Sequence, residues 1–171
     1  MSVKEWFGKK IDPISEFRED HRKVRDGILG IAEALDAKDI KKAREILGSI
    51  NVLVGPHFRY EEEALYPALK KLLGEYVDQL FGEHDGVIST AKTAATLLAK
   101  EALTEEEFAL AKKAALGILV HVSNCDGLAI LSERFSKEEL EGLGARFEVA
   151  RKAGVPLIEW ADTIRKRQKA A

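Results

Sequence analysis

The sequence contains little cysteine and little histidine, and both shortages limit what the protein can be. Cys125 is the one cysteine among 171 residues, so no disulfide can form within the chain, and a lone cysteine fits a reducing compartment. An excess of positive charge is also absent, because 27 Lys and Arg residues stand against 29 Asp and Glu residues. Binding to nucleic acid requires a basic face or stripe, and we therefore predict no nucleic-acid partner.

Long apolar runs and common catalytic motifs are missing as well. We expect no stretch to approach the roughly 18 to 20 apolar residues that span a bilayer. The N-terminal sequence MSVKEWFGKKIDP lacks the apolar centre of a signal peptide. Glycine-rich phosphate loops, CxxC pairs and catalytic triads are not found. These absences predict a cytoplasmic protein with no membrane partner.

What the sequence does contain is helical periodicity. Apolar residues recur at alternating steps of three and four, and no sustained alternation of period two interrupts them. Helix starts are predicted at four polar capping positions: Asp12, Asp39, Thr104 and Ser136. Gly74 and Gly154 mark helix ends. The predicted fold class is all-α, an up-down antiparallel four-helix bundle with one or two extra C-terminal helices.

The bundle and the remaining helices divide the chain. We expect residues 1–135 to form the four-helix bundle and residues 136–171 to form a C-terminal helical extension packed on it. The extension ends in the basic run RKRQK, which is typical of a solvated terminus. Its amphipathic helices predict either a cover for the bundle or a contact with a second copy, so a homodimer is one expected assembly.

All four histidines fall on apolar seams, one on each long helix: His21, His57, His84 and His121. His57 follows His21 by 36 residues and His121 follows His84 by 37, which indicates two similar halves. A single histidine on a seam is more often a hydrogen-bonded core residue than a ligand. Four of them at matching depths would need many hydrogen-bond partners, and a metal ion would satisfy them together.

Glu61 lies four residues after His57, which places both side chains on one face of a helix. A glutamate in an apolar seam is costly unless it is paired or bound to a metal. We therefore predict Glu61 as a metal ligand; the alternative is a boundary residue that reaches solvent. Its neighbours Glu62 and Glu63 turn away from that face, and we expect them to be solvated.

A second carboxylate ligand is predicted at Asp126, five residues after His121. In a regular α-helix this spacing directs Asp126 away from the His121 face, and a one-residue π-bulge would bring it inward. Cys125, four residues after His121, is the alternative ligand because thiolates bind iron and zinc, but we interpret it as a packing residue. Four imidazoles and two carboxylates on four helices predict a two-metal site.

These segments together resemble the hemerythrin-like family, the HHE cation-binding domains. HFRYEEEALYPAL is similar to that family's signature, and DHRKV, GEHDGV and HVSNCD resemble its other ligand segments in the same order. The resemblance covers about residues 12–135. It implies two iron ions, or manganese or zinc in their place, bridged by Glu61 and Asp126. The implied ligands are His21, His57, Glu61, His84, His121 and Asp126.

One position departs from the family's pattern. Oxygen-carrying hemerythrins have a fifth histidine four residues after the third, and Ile88 stands there in this chain, while Arg25 occupies the equivalent position of the first half. Water or a carboxylate such as Glu62 could fill the gap. The departure argues against reversible O₂ carriage and favours a ligand-accessible, redox-active or storage-type site. It leaves partial or single-metal occupancy open.

Three functions are compatible with this sequence. The resemblance implies a non-haem di-iron protein that binds or senses O₂, NO or peroxide, or that handles iron. The same centre could instead turn over one of these molecules as an oxidoreductase, with electrons from a redox partner because flavin, haem and nucleotide motifs are absent. The third is a metal-free signalling bundle such as a histidine phosphotransfer domain, which needs a solvent-exposed histidine.

Overall fold

The computed structural model describes residues 11–166, and its regular structure is helical throughout that range, with no strand among these residues. The all-α prediction is therefore confirmed for this part of the chain. In chain order the elements are α1 (Pro13–Asp36), α2 (Ile40–Tyr60), a π-turn (Glu61–Leu65), α3 (Tyr66–Leu73), α4 (Tyr76–Leu98), α5 (Glu105–Asp126), a 3-10 helix (Gly127–Arg134), α6 (Lys137–Ala153) and α7 (Leu157–Thr163).

Local capping sets the helix boundaries as the sequence predicts. The Asp12 carboxylate accepts hydrogen bonds from two backbone N–H groups at the start of α1, and Asp39 accepts one at the start of α2. Thr104 and Ser136 each form a capping box with the glutamate three residues later, at the N-termini of α5 and α6. Gly74 follows α3, and Gly154 ends α6 in the left-handed conformation, with φ of 61°, which favours glycine.

The π-turn lies in a different place from the one predicted. Residues between His121 and Asp126 form regular α-helix, so the π-bulge expected there is wrong. The π-turn occupies Glu61–Leu65 instead, where the backbone N–H of Tyr66 donates to the carbonyl of Glu61, five residues earlier. Pro67 lies two residues after the end of this turn, in the first turn of α3. Because proline cannot donate a backbone hydrogen bond and crowds the preceding turn, a widened turn accommodates it.

Four long helices pack on one another. Helix α1 contacts α2 and α5, and α4 contacts α5 and α2, while α6 and α7 both lie against α2. The up-down antiparallel order of the bundle and the domain boundary after residue 135 stay predictions. The predicted domains also include residues 1–10 and 167–171, with part of the run RKRQK, and these lie outside the described residues.

The buried core consists of two apolar clusters with the four histidines between them. One contains Val24, Val54 and Val87, each three residues from a histidine. The other contains Phe17 and Leu80, four residues before His21 and His84 in the chain. The apolar packing therefore encloses the histidine layer along the helices from both sides, which lowers the local dielectric and strengthens electrostatic interactions within the layer.

Helix α5 and the 3-10 helix after it are strongly apolar. The span Glu105–Arg134 contains an 18-residue window of mean hydropathy 1.6, long and apolar enough to cross a membrane by length and composition alone, and 28% of that window is buried. The prediction that no stretch of the chain has this property is wrong. Helix α5 also packs against α1 and α4, a position that the same composition suits, so the property is weak evidence for a membrane span.

The close approach of α2 to the segment before α7 depends on Gly55. A Cβ atom at this position would lie 2.0 Å from the carbonyl oxygen of Val155 and 2.6 Å from the backbone nitrogen of Leu157. We expect Gly55→Ala to lower the free energy of unfolding by about 3 kcal/mol, because backbone atoms must move. Urea unfolding monitored by circular dichroism measures this change.

Gly48, on the same helix, provides the matched control. A Cβ there would meet nothing within 4 Å. We expect Gly48→Ala to leave stability unchanged or to raise it by up to about 1 kcal/mol, because alanine restricts the unfolded chain and favours helix. Equal stability of the two variants would contradict the close packing of α2 on this segment.

Candidate metal centre

Four helices each contribute one histidine to a common layer. The four residues are buried, with exposed fractions between 0% and 7%: His21, His57, His84 and His121. They form two pairs. The ring centroids of His21 and His57 lie 4.8 Å apart, and those of His84 and His121 lie 4.9 Å apart. The structure thus brings together all four histidines that the sequence singled out.

A carboxylate contacts the Nδ1 atom of every one of these histidines. The four contacts are Asp126–His21 at 3.2 Å, Asp20–His57 at 3.0 Å, Glu62–His84 at 2.8 Å and Glu83–His121 at 2.8 Å. A carboxylate accepts a hydrogen bond from the ring, so in the neutral imidazole each contact places the N–H on Nδ1 and leaves Nε2 as the electron-pair donor. This arrangement is the usual support for metal-binding histidines.

The carboxylates follow the internal repeat. Asp20 and Glu83 each precede the first histidine of their half and bond the second one, His57 or His121. Glu62 and Asp126 lie five residues after those second histidines and bond the first histidine of the opposite half. The sequence showed the acidic neighbours, but their role as partners of Nδ1 was missed because it depends on pairing between helices.

Glu61 lies between the two histidine pairs and is fully buried. Its Oε1 atom lies 3.3 Å from Nε2 of His57, and its Oε2 atom lies 3.0 Å from Nε2 of His84. The inward orientation predicted for Glu61 is therefore observed. A carboxylate with one oxygen toward each pair is placed to bridge two cations.

The centre contains more acceptor atoms than donors. Nε2 of His57 lies 3.2 Å from Nε2 of His21, although both rings direct their N–H groups outward to carboxylates. Among the described residues, Oε2 of Glu61 and Nε2 of His121 are buried without a hydrogen-bond partner, since the approach of Oε2 to His84 lacks hydrogen-bond geometry. Facing electron pairs at these distances need either a proton or a metal ion between them.

The charges of the centre also favour a cation. Burial raises the pKa of Glu61, but His57 and His84 outweigh burial and hold that pKa well below its usual range. Burial lowers the pKa of His57, whereas Glu61 and Asp20 raise it to about 9. Burial and the nearby charge of His57 lower the pKa of His21 to about 4. The buried negative charge of Glu61 therefore attracts one positive charge strongly.

Cys125 belongs to the second apolar cluster, as predicted for a packing residue, and its thiol also lies among the atoms of the centre. Its fully buried thiol donates to Oε1 of Glu61 at 2.7 Å. Burial, and then the charge of Glu61, raise the pKa of this thiol well above its usual value. The internal repeat indicated this position, because Cys125 follows His121 by four residues, just as Glu61 follows His57.

Asp126 lies on the outer side of His21. Its carboxylate contacts Nδ1 of His21 and approaches Arg18 at 3.8 Å, and its side chain is 36% exposed. Two sets of ligand atoms within 4.8 Å of one another occur among the described residues: His21, Glu61 and Cys125, and Glu61, His84 and His121. Neither set includes Asp126, and its role as a bridging ligand stays a prediction.

Glu62 is buried, so the expectation that it is solvated is wrong. Its side chain is 5% exposed and lies between Nδ1 of His84 and the guanidinium of Arg165. It supports a histidine from outside and does not fill the position left by Ile88, which lies in the apolar core. Glu63 is exposed and pairs with Arg59, as predicted for a surface residue.

Two arginines from the C-terminal part of the chain hold the carboxylates behind the histidines. Arg165 makes a bidentate contact with Glu62, with its Nη2 2.7 Å from Oε1 and its Nε 2.9 Å from Oε2. Arg151 on α6 donates to Asp20 at 2.8 Å. Arg165 is the first residue of the run RKRQK, and its side chain is only 9% exposed, so the solvated terminus predicted there is wrong for this residue.

The hydroxyl group of Tyr66 completes the lining of the centre. It lies 3.0 Å from Nε2 of His84 and 3.6 Å from the sulfur of Cys125. Tyr66 is fully buried, and burial, followed by the charge of Glu61, raises the pKa of its hydroxyl well above the usual value. The hydroxyl therefore keeps its proton and can donate a hydrogen bond within the centre.

Comparison with known proteins gives one result. Residues 12–141 match the family model described as the hemerythrin HHE cation-binding domain. Neither curated proteins nor solved structures gave a significant match. The matched range contains all four histidines together with Glu61, Cys125 and Asp126, and it ends before Arg151 and Arg165.

Proposed function

We propose that this chain, which belongs to the hemerythrin HHE cation-binding domain family, is a non-haem di-iron protein that binds or senses O₂, NO or peroxide. Cation binding follows from the family. The observation that supports a pair of metals is the position of Glu61, with one carboxylate oxygen directed at each histidine pair. The acceptor-rich centre supports the same conclusion.

The ligands divide into two sets in this proposal. His21, His57 and Cys125 would hold one iron, His84 and His121 would hold the other, and Glu61 would contribute one carboxylate oxygen to each. Imidazole, carboxylate and thiolate are all suitable ligands for iron. Asp126 then supports His21 through Nδ1, and an up-down order of the four long helices would bring the two halves into this relation.

Bound iron supplies an open coordination position at which a small molecule binds and exchanges electrons. The chain provides the surroundings. The apolar clusters on both sides exclude water, the four carboxylates fix the rings with Nε2 directed inward, and the hydroxyl of Tyr66 lies beside His84, where it can donate to a bound ligand. The apolar side chain of Ile88 leaves that half of the centre one imidazole short of an oxygen carrier.

Metal analysis of the purified protein tests this proposal. After expression in iron-replete medium we expect about two iron atoms per chain, as in other carboxylate-bridged bundle sites. Azide should bind at the open position and shift the visible absorption of the oxidised protein. Manganese or zinc at the same stoichiometry would revise the metal alone. Absence of any bound transition metal would overturn the proposal.

An oxidoreductase that turns over peroxide, NO or O₂ is the second candidate. The observation that favours it is Ile88, which is 6% exposed and cannot ligate, so one metal keeps an additional open position. Turnover above that of free iron, with an external electron donor, would support it.

The metal-free phosphotransfer bundle is disfavoured, since His57 and His84 are 2% and 0% exposed. A redox partner, a homodimer and a cytoplasmic location stay predictions.

Cys125→Ser and Asp126→Asn separate the two assignments of the remaining ligand. If the thiolate binds iron, Cys125→Ser removes the sulfur-to-iron charge-transfer absorption and weakens that site by about 10- to 100-fold or more. Asp126→Asn should keep this absorption, because Asp126 contacts only the outer nitrogen of His21. Absence of such a band in the wild type, with metal binding unchanged in Cys125→Ser and weakened in Asp126→Asn, would assign Asp126 as the ligand.

A further inference from the structure

An apolar cavity extends from the metal centre into the bundle. Its volume is about 230 Å³, and aliphatic side chains of α1, α2, α4 and α5 line most of it. An engineered apolar cavity of about 150 Å³ stays dry and binds benzene or xenon. The cavity in this protein is larger, and its lining is of the same chemical kind.

The cavity is long and narrow. Along α1 its lining runs from His21 to Leu35, and along α2 it runs from Arg44 to His57. At 1.5 Å per residue each of these spans is about 20 Å. A space of this volume drawn out over this length fits an extended aliphatic chain.

The two ends of the cavity differ in chemistry. The inner end is lined by His21, His57 and His121, and the buried Nε2 atom of His121 has no hydrogen-bond partner among the described residues. The outer end is lined by Arg44 and Gly48, both exposed, so this end opens to solvent.

Arg44, the charged residue at the outer end, already has hydrogen-bond acceptors and does not need an anionic ligand. The guanidinium of Arg44 already donates to the carbonyl oxygens of Leu98 at 2.6 Å and of Lys100 at 3.1 Å, at the C-terminal end of α4. Between its two ends, the cavity lining offers no cation to a ligand's carboxylate. A carboxylate between the two ends of the cavity would therefore lose its hydration without compensation.

We propose that this cavity binds an uncharged aliphatic chain, of the class of alkanes, fatty alcohols and fatty aldehydes, with its inner end against the histidines of the metal centre. The driving force is the transfer of the chain from water to an apolar space. This binding site goes beyond the proposed metal function. Chain binding rests on the shape and lining of the cavity, so the two proposals fail separately.

Binding of 1-decanol, measured by titration calorimetry, tests the proposal. We expect saturable binding of one molecule to the wild type. Ala91→Leu and Ala95→Leu place larger side chains inside the cavity, since both alanines line it, and each should weaken binding by at least about tenfold. The control is Ala109→Leu, the same change at an exposed position of α5, which should bind as the wild type does.

Three results would overturn the proposal. One is a failure of the wild type to bind 1-decanol up to its solubility limit. Another is equal binding of 1-decanol by the control variant and by a cavity variant that is folded. Two cavity variants are used because Ala91→Leu and Ala95→Leu fill different levels of the cavity. Thermal denaturation identifies which of them is folded. The third is tighter binding of decanoate than of 1-decanol, which would contradict the uncharged head.

Metal-loaded and chelator-treated protein distinguish this proposal from the previous one. We expect 1-decanol to bind both forms and to shift the visible absorption of the metal-loaded form, because the inner end of the chain reaches the histidines. If the protein binds 1-decanol but takes up no metal, the chain-binding proposal is supported and the metal function is refuted. If it takes up metal but does not bind 1-decanol, the metal function is supported and the chain-binding proposal is refuted.

Discussion

Replacing Glu61 by Gln is expected to release metal from both sites at once, from about two atoms per chain to fewer than about 0.5. Glu61 is the one carboxylate of the described residues that faces both histidine pairs, and it is fully buried. Glutamine has nearly the same shape but no charge and binds iron weakly. Metal analysis after dialysis, with circular dichroism to confirm the helical fold, measures the effect.

Glu63→Gln is the matched control for this variant. Glu63 lies in the same π-turn, but its side chain is 41% exposed and pairs with Arg59 on the surface. We expect this variant to bind as much metal as the wild type. A Glu61→Gln protein that is folded and still carries two metals would show that the bridging position belongs to another residue.

Replacing Arg165 by Met is expected to lower the free energy of unfolding by about 3 kcal/mol. Arg165 and Glu62 are a buried pair, with side chains 9% and 5% exposed, so solvent screens their attraction little. Removing the cation leaves the buried carboxylate paired only with His84, and loss of one partner of a buried pair typically costs about 3–5 kcal/mol. Urea unfolding of the two proteins at the same pH measures the difference.

Arg146→Met provides the corresponding surface case. Arg146 approaches Glu63 at 3.8 Å, and their side chains are 58% and 41% exposed. An exposed pair of this kind contributes at most about 1 kcal/mol, so this variant should be nearly as stable as the wild type. Equal losses in the two variants would mean that burial does not set the strength of the Arg165 contact.

The sequence predicts the helices and the histidine layer well because both depend on local rules. A helical period places His21, His57, His84 and His121 on seams, and seams of packed helices face a common interior. Capping depends on residues no more than a few positions apart, such as Thr104 and its partner glutamate. These features can be predicted because they depend on residues within one or two helical turns of each other.

The side chain that faces the centre after His121 was harder to predict because it depends on helical phase. Spacing alone does not show which half of the chain contains the π-turn. The structure places it at Glu61–Leu65 and leaves α5 regular, so in α5 the fourth residue, Cys125, faces inward and the fifth, Asp126, faces outward. Pro67, two residues after the π-turn, was the available clue, because proline disfavours a regular turn before it.

The outer contacts of the centre could not be predicted from local patterns at all. Arg165 and Glu62 are 103 residues apart in the chain, and Arg151 and Asp20 are 131 apart. A basic residue near a terminus has the same local sequence whether it is solvated or buried. Only the packing of α6 and α7 on α2 decides between these outcomes.

The arginine contacts affect how this centre could be transplanted or shortened. A fragment cut at residue 141, the end of the family match, would keep every histidine of the centre and would lose Arg151 and Arg165. Asp20 and Glu62 would then remain beside His57 and His84 without their cations. A transferable unit of this centre therefore extends at least to residue 165. A fragment with the family's boundaries would contain the candidate ligands without the two arginines that hold the carboxylates behind the histidines.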